Sequence, residues 1–211
     1  ELTNLKGLYL SGNQLENIEL NQLIEIDEIN LSDNNLTNIN INGLPKLWNL
    51  TLDNNKINYL SINDCPKLGY LHCSDNLLVD IDFVNVPNLD SFYLRNNLFT
   101  HIDISKFKKL NYIDILNNSL IESAILKNGV CSLNIFPFKG TPNLKYICVD
   151  ECLIDNVQKN IETNLDHACE VNNYCSFTPG GVSYTLEGNT KMDIDKNGCD
   201  ADDLSFPYMK F

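Results

Sequence analysis

Few side chains in this chain are spaced for catalysis. The three histidines, His72, His101 and His167, sit in unrelated surroundings, and no GxSxG, HExxH or P-loop text appears. Most paired carboxylates fall where turns and exposed strand positions are expected, so a solvated face is their default. The chain is therefore read as non-catalytic. Other residues carry more definite chemistry. The run Asp193-Ile194-Asp195-Lys196-Asn197-Gly198-Cys199-Asp200-Ala201-Asp202-Asp203 places oxygen side chains at alternate positions ahead of a glycine, which suits a hard cation such as Ca2+. Eight cysteines crowd toward the C-terminus and point to an oxidising compartment. Six asparagines, Asn13, Asn34, Asn55, Asn76, Asn97 and Asn118, stand 21 residues apart. An amide both donates and accepts, so one turned inward can tie neighbouring backbone segments together.

A fixed period of 21 residues is the mark of a solenoid, whose core grows by stacking. Each copy reads LxxLxLxxNxL, as in Leu2, Leu5, Leu8, Leu10, Asn13 and Leu15, or Leu44, Leu47, Leu50, Leu52, Asn55 and Ile57. Alternating apolar residues on a short strand point into the core. The second half of each copy also alternates, as in Ile39-Asn40-Ile41 and Ile102-Asp103-Ile104. A helix would repeat at 3.6 residues instead, so short strands are expected on both faces and little helix. Stacked repeats are assigned to residues 1–154, with an insertion at 119–141 holding Cys131 and the run from Ile135 to Phe138. A last copy carries Leu144, Ile147, Val149, Cys152 and Ile154, with Cys152 in the asparagine position. A helix is expected from Asp155 as N-cap, with Val157, Ile161 and Leu165 on one face. Residues 155–181 form a cap for the open end of the stack, and Pro179-Gly180-Gly181 reads as a boundary. Beyond it, residues 182–211 read as the start of a truncated β module.

The repeat text resembles that of leucine-rich repeats over roughly residues 1–154, in particular the 21-residue repeats of bacterial surface proteins. The resemblance implies a mostly β leucine-rich repeat solenoid, a disulfide-stabilised C-terminal cap with a short helix, and then the start of a β-sandwich-like module. The texts YICVDE and NNYCSFTPGG resemble the ends of leucine-rich repeat regions in secreted Bacteroidetes proteins, which implies that Cys148 pairs with Cys175 and that export follows the type IX route. Cys148 also falls at an outward-facing strand position, where a thiol wants a partner folded over it. Cys152 with Cys169 is the next expected pair, with Cys131 competing for Cys169. Cys65 and Cys73 occupy leucine slots and are read as buried thiols. The acidic run in the tail resembles calcium loops near the start of β-sandwich repeats, implying Asp193, Asp195, Asn197 and Asp203 as ligands, with Asp200 beside them. Its twelfth position is Leu204 rather than Glu, so it is not an EF-hand. A solvated Asx turn is the alternative.

Composition narrows the partners. A formal charge of -13 argues against nucleic acid and against anionic membrane surfaces, both of which need a basic footprint. No uncharged apolar run reaches the length of a membrane span. No signal peptide is visible, and the chain opens in mid-repeat, so it is expected to be a piece of a longer protein. Binding is expected on the concave sheet. Its outward column runs Tyr9, Asn30, Thr51, His72, Tyr93, Asp114 and Cys148. The candidate ligand-binding residues are Tyr70, His72, Tyr93, Arg95, Tyr112 and Asp114, with Tyr146 beside them and Trp48 as a packing or rim residue. Tyrosines grouped with an arginine favour protein or glycan contact, although tyrosine also simply suits exposed strands. The expected function is a secreted, cell-surface recognition or adhesion module. The alternatives are a structural spacer or stalk and the accessory arm of a secreted enzyme, with other domains of the same protein as partners.

Overall fold

The computed structural model describes residues 4–135 and 137–175, and the backbone of residues 191–192 and 204–205. The chain divides into two compact units, Glu1–Phe177 and Thr178–Phe211. In the second, Lys191–Met192 pairs antiparallel with Leu204–Ser205. Everything below concerns the first.

Fourteen short strands run through this unit: β1 (Gly7–Tyr9), β2 (Glu28–Asn30), β3 (Asn38–Asn42), β4 (Asn49–Thr51), β5 (Tyr59–Asn63), β6 (Tyr70–His72), β7 (Asp82–Val84), β8 (Ser91–Tyr93), β9 (His101–Asp103), β10 (Tyr112–Asp114), β11 (Ser123–Ile125), β12 (Asn134–Ile135), β13 (Tyr146–Cys148) and β14 (Glu170–Asn172). They build a mostly β, parallel solenoid of about eight turns. The front sheet has the order β1-β2-β4-β6-β8-β10-β12. The reverse face carries two sheets, β3-β5-β7 and β9-β11-β13-β14. The core lies between the faces. Ile29, Leu50, Leu71, Phe92 and Ile113 are the middle residues of successive front rungs and are all buried. Ile39, Leu60 and Ile62 meet them from the reverse strands.

The buried asparagines lock each turn to the one before. The amide nitrogen of Asn76 donates to the carbonyls of Leu52 (3.0 Å), Cys73 (3.3 Å) and Ser74 (3.0 Å), and its oxygen accepts from the Ile57 N–H at 3.0 Å. Asn34, Asn55 and Asn97 repeat this arrangement. Asn13 does not. It is exposed and donates only to Leu10 and Ser11, because among the described residues no earlier turn lies against it. Asn118 is fully buried and makes its three donor bonds, yet its Oδ1 has no partner. By the spacing of the others, that partner would be the Phe99 N–H.

A second lattice sets the corners. Gly12, Asp33, Asn54, Asp75, Asn96 and Asn117 all have φ between 54° and 72°. Glycine reaches this left-handed region freely, and Asn and Asp tolerate it best among the rest. On the reverse face a matching column, Gly43, Asp64 and Asn85, closes the ends of β3, β5 and β7. One period further on stands Lys106, which is not left-handed, and there the reverse face splits: among the described residues β7 and β9 do not pair.

Several expectations are corrected in the last turns. Residues 119–141 are not an insertion outside the stack, because they carry β11 and β12, which join the two faces in register. Tyr146–Cys148 is not a front strand; it pairs with β11 and β14 on the reverse face. Cys152 therefore does not hold an asparagine position. It is bonded to Cys131, with Cα atoms 5.7 Å apart, and not to Cys169, which is free. Cys148 and Cys175 form the second disulfide, as expected, although Cys148 lies on the reverse face, where it is buried, and not in the front column. Cys65 and Cys73 are buried free thiols. A 3-10 turn at Glu151–Leu153 leads into helix α1 (Ile154–Asn164). Its N-cap is Leu153, and Asp155 lies in the first turn instead of capping it. Val157 and Ile161 face the core, with Leu165 packed beside them. Among the described residues no helix is long and apolar enough to cross a membrane.

Candidate functional site

The front sheet stacks its outward side chains because parallel rungs in register repeat at about 4.8 Å. Tyr9, Asn30, Thr51, His72, Tyr93 and Asp114 are Cα partners in one column, as the sequence predicts. Tyr70, Ser91 and Tyr112 belong to the column two residues before it. Where neighbouring rungs carry rings, the rings stack. His72 lies flat on Tyr93, with centroids 4.1 Å apart and planes 9° from parallel. Tyr112 continues the stack from the adjacent column, 4.7 Å from Tyr93 and tilted by 37°. Trp48 meets Tyr70 edge to face at 5.6 Å.

The charged members behave differently from each other. Asp114 is only 3% exposed and holds the Arg95 guanidinium at 2.8 Å, while its Oδ1 accepts from the Leu116 N–H. It fixes Arg95 beside the rings instead of meeting solvent itself. Arg95 stays partly exposed and presents the cationic group of the patch. Burial lowers the His72 pKa, which favours the neutral imidazole in the stack. Burial and the neighbouring Tyr70, Asp114 and Asp90 raise the phenol of Tyr93, and burial likewise raises that of Tyr112, so both rings keep their hydroxyl protons at neutral pH.

Of the candidate residues, the structure gathers His72, Tyr93 and Tyr112 into one stack and joins Arg95 to Asp114. Tyr70 stands near Trp48. Tyr146 is not on this face: it is buried in β13, and its hydroxyl lies within hydrogen-bond reach of Asn172 Oδ1, at 3.0 Å, and of the Tyr174 carbonyl. Trp48, expected as a packing or rim residue, packs against Tyr70. One member of the face was not legible as such. Asp53 sits in line with Arg95, and burial, with Asp75 and Asp33 nearby, pushes its carboxyl up to about 6 despite a 2.7 Å bond from the Ser74 N–H.

The histidines have separate roles: His101 Nδ1 lies 2.8 Å from Ser123 Oγ, and His167 Nε2 lies 2.8 Å from the Leu144 carbonyl. Among the described residues no group of three His, Cys, Asp or Glu side chains is arranged to hold a metal. The acidic run of Asp193, Asp195, Asn197, Asp200 and Asp203 lies outside the described residues. No protein-family profile matches the chain, and no curated protein matches it in sequence.

Proposed function

We propose that this chain is a leucine-rich repeat recognition module of a secreted, cell-surface protein, non-catalytic, and that its front sheet binds a protein or glycan ligand. The observation that carries the reading is the His72–Tyr93–Tyr112 stack beside the Arg95–Asp114 pair. Stacked rings offer rigid apolar area at small entropic cost, and an oriented guanidinium adds directed hydrogen bonds, the composition in which interface energy concentrates. The two disulfides fit an extracellular protein. The 21-residue repeat text supports the kinship with bacterial surface proteins, and the texts YICVDE and NNYCSFTPGG support a Bacteroidetes kinship and, through it, the type IX route. The tail loop is proposed to take Ca2+ on the strength of its donor set. The test of the main proposal is a glycan array and a cell-surface pulldown with the wild-type chain and with Tyr93→Ala and Tyr112→Ala. A ligand retained by the wild type and lost by both variants supports it; no ligand, or equal binding by the variants, rejects it.

A further inference from the structure

The split in the reverse face opens a cleft of about 620 Å³ between the fourth and fifth turns. Its floor is aromatic. Phe83 meets Phe107 at 5.1 Å and Phe92 at 5.7 Å, both edge to face, and Phe99 lines the same space. These rings stand where other turns carry smaller apolar side chains such as Leu, Ile or Val. One turn further on, the Asn118 oxygen has no partner, and by spacing its counterpart would be the N–H of Phe99, a residue of the cleft. Outward, the walls are strand edges. Among the described residues β7 pairs only with β5, and β9 only with β11, so each turns an unpaired main-chain edge toward the cleft. The rim is acidic. Asp80, Asp82 and Asp103 line the opening, all three exposed. The Ile81 and Ser105 N–H groups aim the carboxylates of Asp80 and Asp103. One cation is already drawn to the floor, since the Lys106 ammonium lies 5.2 Å from the Phe83 ring and 5.4 Å from Phe107.

We propose that this cleft is a second binding site, separate from the front face, and that it takes an extended polypeptide segment of a partner protein, alternating apolar and basic residues. Each feature asks for that occupant. A free strand edge is satisfied by another main chain, which supplies donors and acceptors at strand spacing. In an extended segment alternate side chains point to opposite sides. Apolar ones enter among the phenylalanines, and basic ones turn to the three carboxylates. A basic side chain also replaces Lys106 over the ring faces.

The probe is a fluorescein-labelled peptide alternating phenylalanine and lysine, titrated into the full 211-residue chain and read by anisotropy. Saturable binding is expected, with slowed amide exchange at residues 82–84 and 101–103. The same peptide N-methylated at every residue keeps its side chains but has no backbone N–H to offer either strand edge, and it should bind at least about tenfold more weakly. The double variant Asp82→Lys with Asp103→Lys changes only exposed positions, and it should also weaken binding about tenfold while its melting temperature stays near wild type. Tyr93→Ala should leave this binding unchanged. The proposal is overturned if no saturable binding occurs, if the N-methylated peptide or a phenylalanine–glutamate peptide binds equally well, or if the protected amides fall on the front sheet.

Discussion

Asn76 bonds four backbone groups in two turns, and its removal leaves the buried Ile57 N–H without its acceptor, while the Leu52, Cys73 and Ser74 carbonyls keep bonds from Asn55, Asn97 and the Asn54 N–H. Asn76→Ala should therefore cost roughly 1–3 kcal/mol, measured by urea unfolding. Asn13→Ala should change little, because the Asn13 amide bonds only its own turn. Equal losses at the two positions would contradict the ladder. Asp53 offers a pH-dependent test. Its carboxyl rises from 3.8 to about 6 on folding, chiefly through burial. The folded state thus holds the proton more tightly than the unfolded chain. The stabilisation is complete below the unfolded value and is lost as pH rises through about 6. Asp53→Asn keeps the acceptor for Ser74 and removes a charge that is costly near neutrality. We expect a gain of about 1 kcal/mol at pH 7.5, reduced by the solvent that reaches this site, and no gain at pH 4, both from thermal melts. At this scale the sequence was informative about the buried amides, since they are written as one residue type at fixed spacing, whereas the left-handed corners emerge only from the backbone angles. It was silent on Asn13, because a periodic position does not say whether a neighbouring turn is present to bury it.

At the scale of elements, the first six rungs were legible because the spacing is constant. The last turns were not, because the spacing drifts. Tyr112 pairs with a residue 22 positions on, Ser123 with one 23 on, and Tyr146 with one 24 on. The text Leu144, Ile147, Val149, Cys152 imitates the start of a copy, and reading it as a front rung places Tyr146–Cys148 on the wrong face and leaves 119–141 as an insertion. The same slip hid the cysteine partners: Cys131 and Cys152 lie one turn apart in the true stack. Non-reducing peptide mapping should recover Cys131 linked to Cys152 and Cys148 linked to Cys175. A Cys152–Cys169 peptide would contradict the structure. Replacing Cys131 and Cys152 together by Ser should cost about 2–4 kcal/mol. Cys169→Ser should be close to neutral, and native Cys169 should alkylate slowly, because burial and Glu170 push its thiol up to about 12.

At the scale of the molecule, a solenoid of thin turns has a small core per turn but two broad faces, and their chemistry differs. The front face carries the stacked rings and Arg95. The reverse face carries the acidic, phenylalanine-floored cleft. The front columns were predictable from strand alternation. The cleft was not, since it arises from the packing of Phe83, Phe92 and Phe107 and from the end of a left-handed column at Lys106. The tail loop has its own expected outcome. Calcium should raise the melting temperature of a chain carrying the whole tail module, and chelator should reverse it; no shift would reject the cation.

The most direct test of the recognition account is calorimetric titration of a ligand obtained from the array or pulldown into three proteins: wild type, Tyr93→Ala, and Tyr59→Ala, which removes an exposed ring from the reverse face. The account predicts that Tyr93→Ala weakens binding by at least about tenfold while Tyr59→Ala binds as wild type. Equal affinity of wild type and Tyr93→Ala would contradict it.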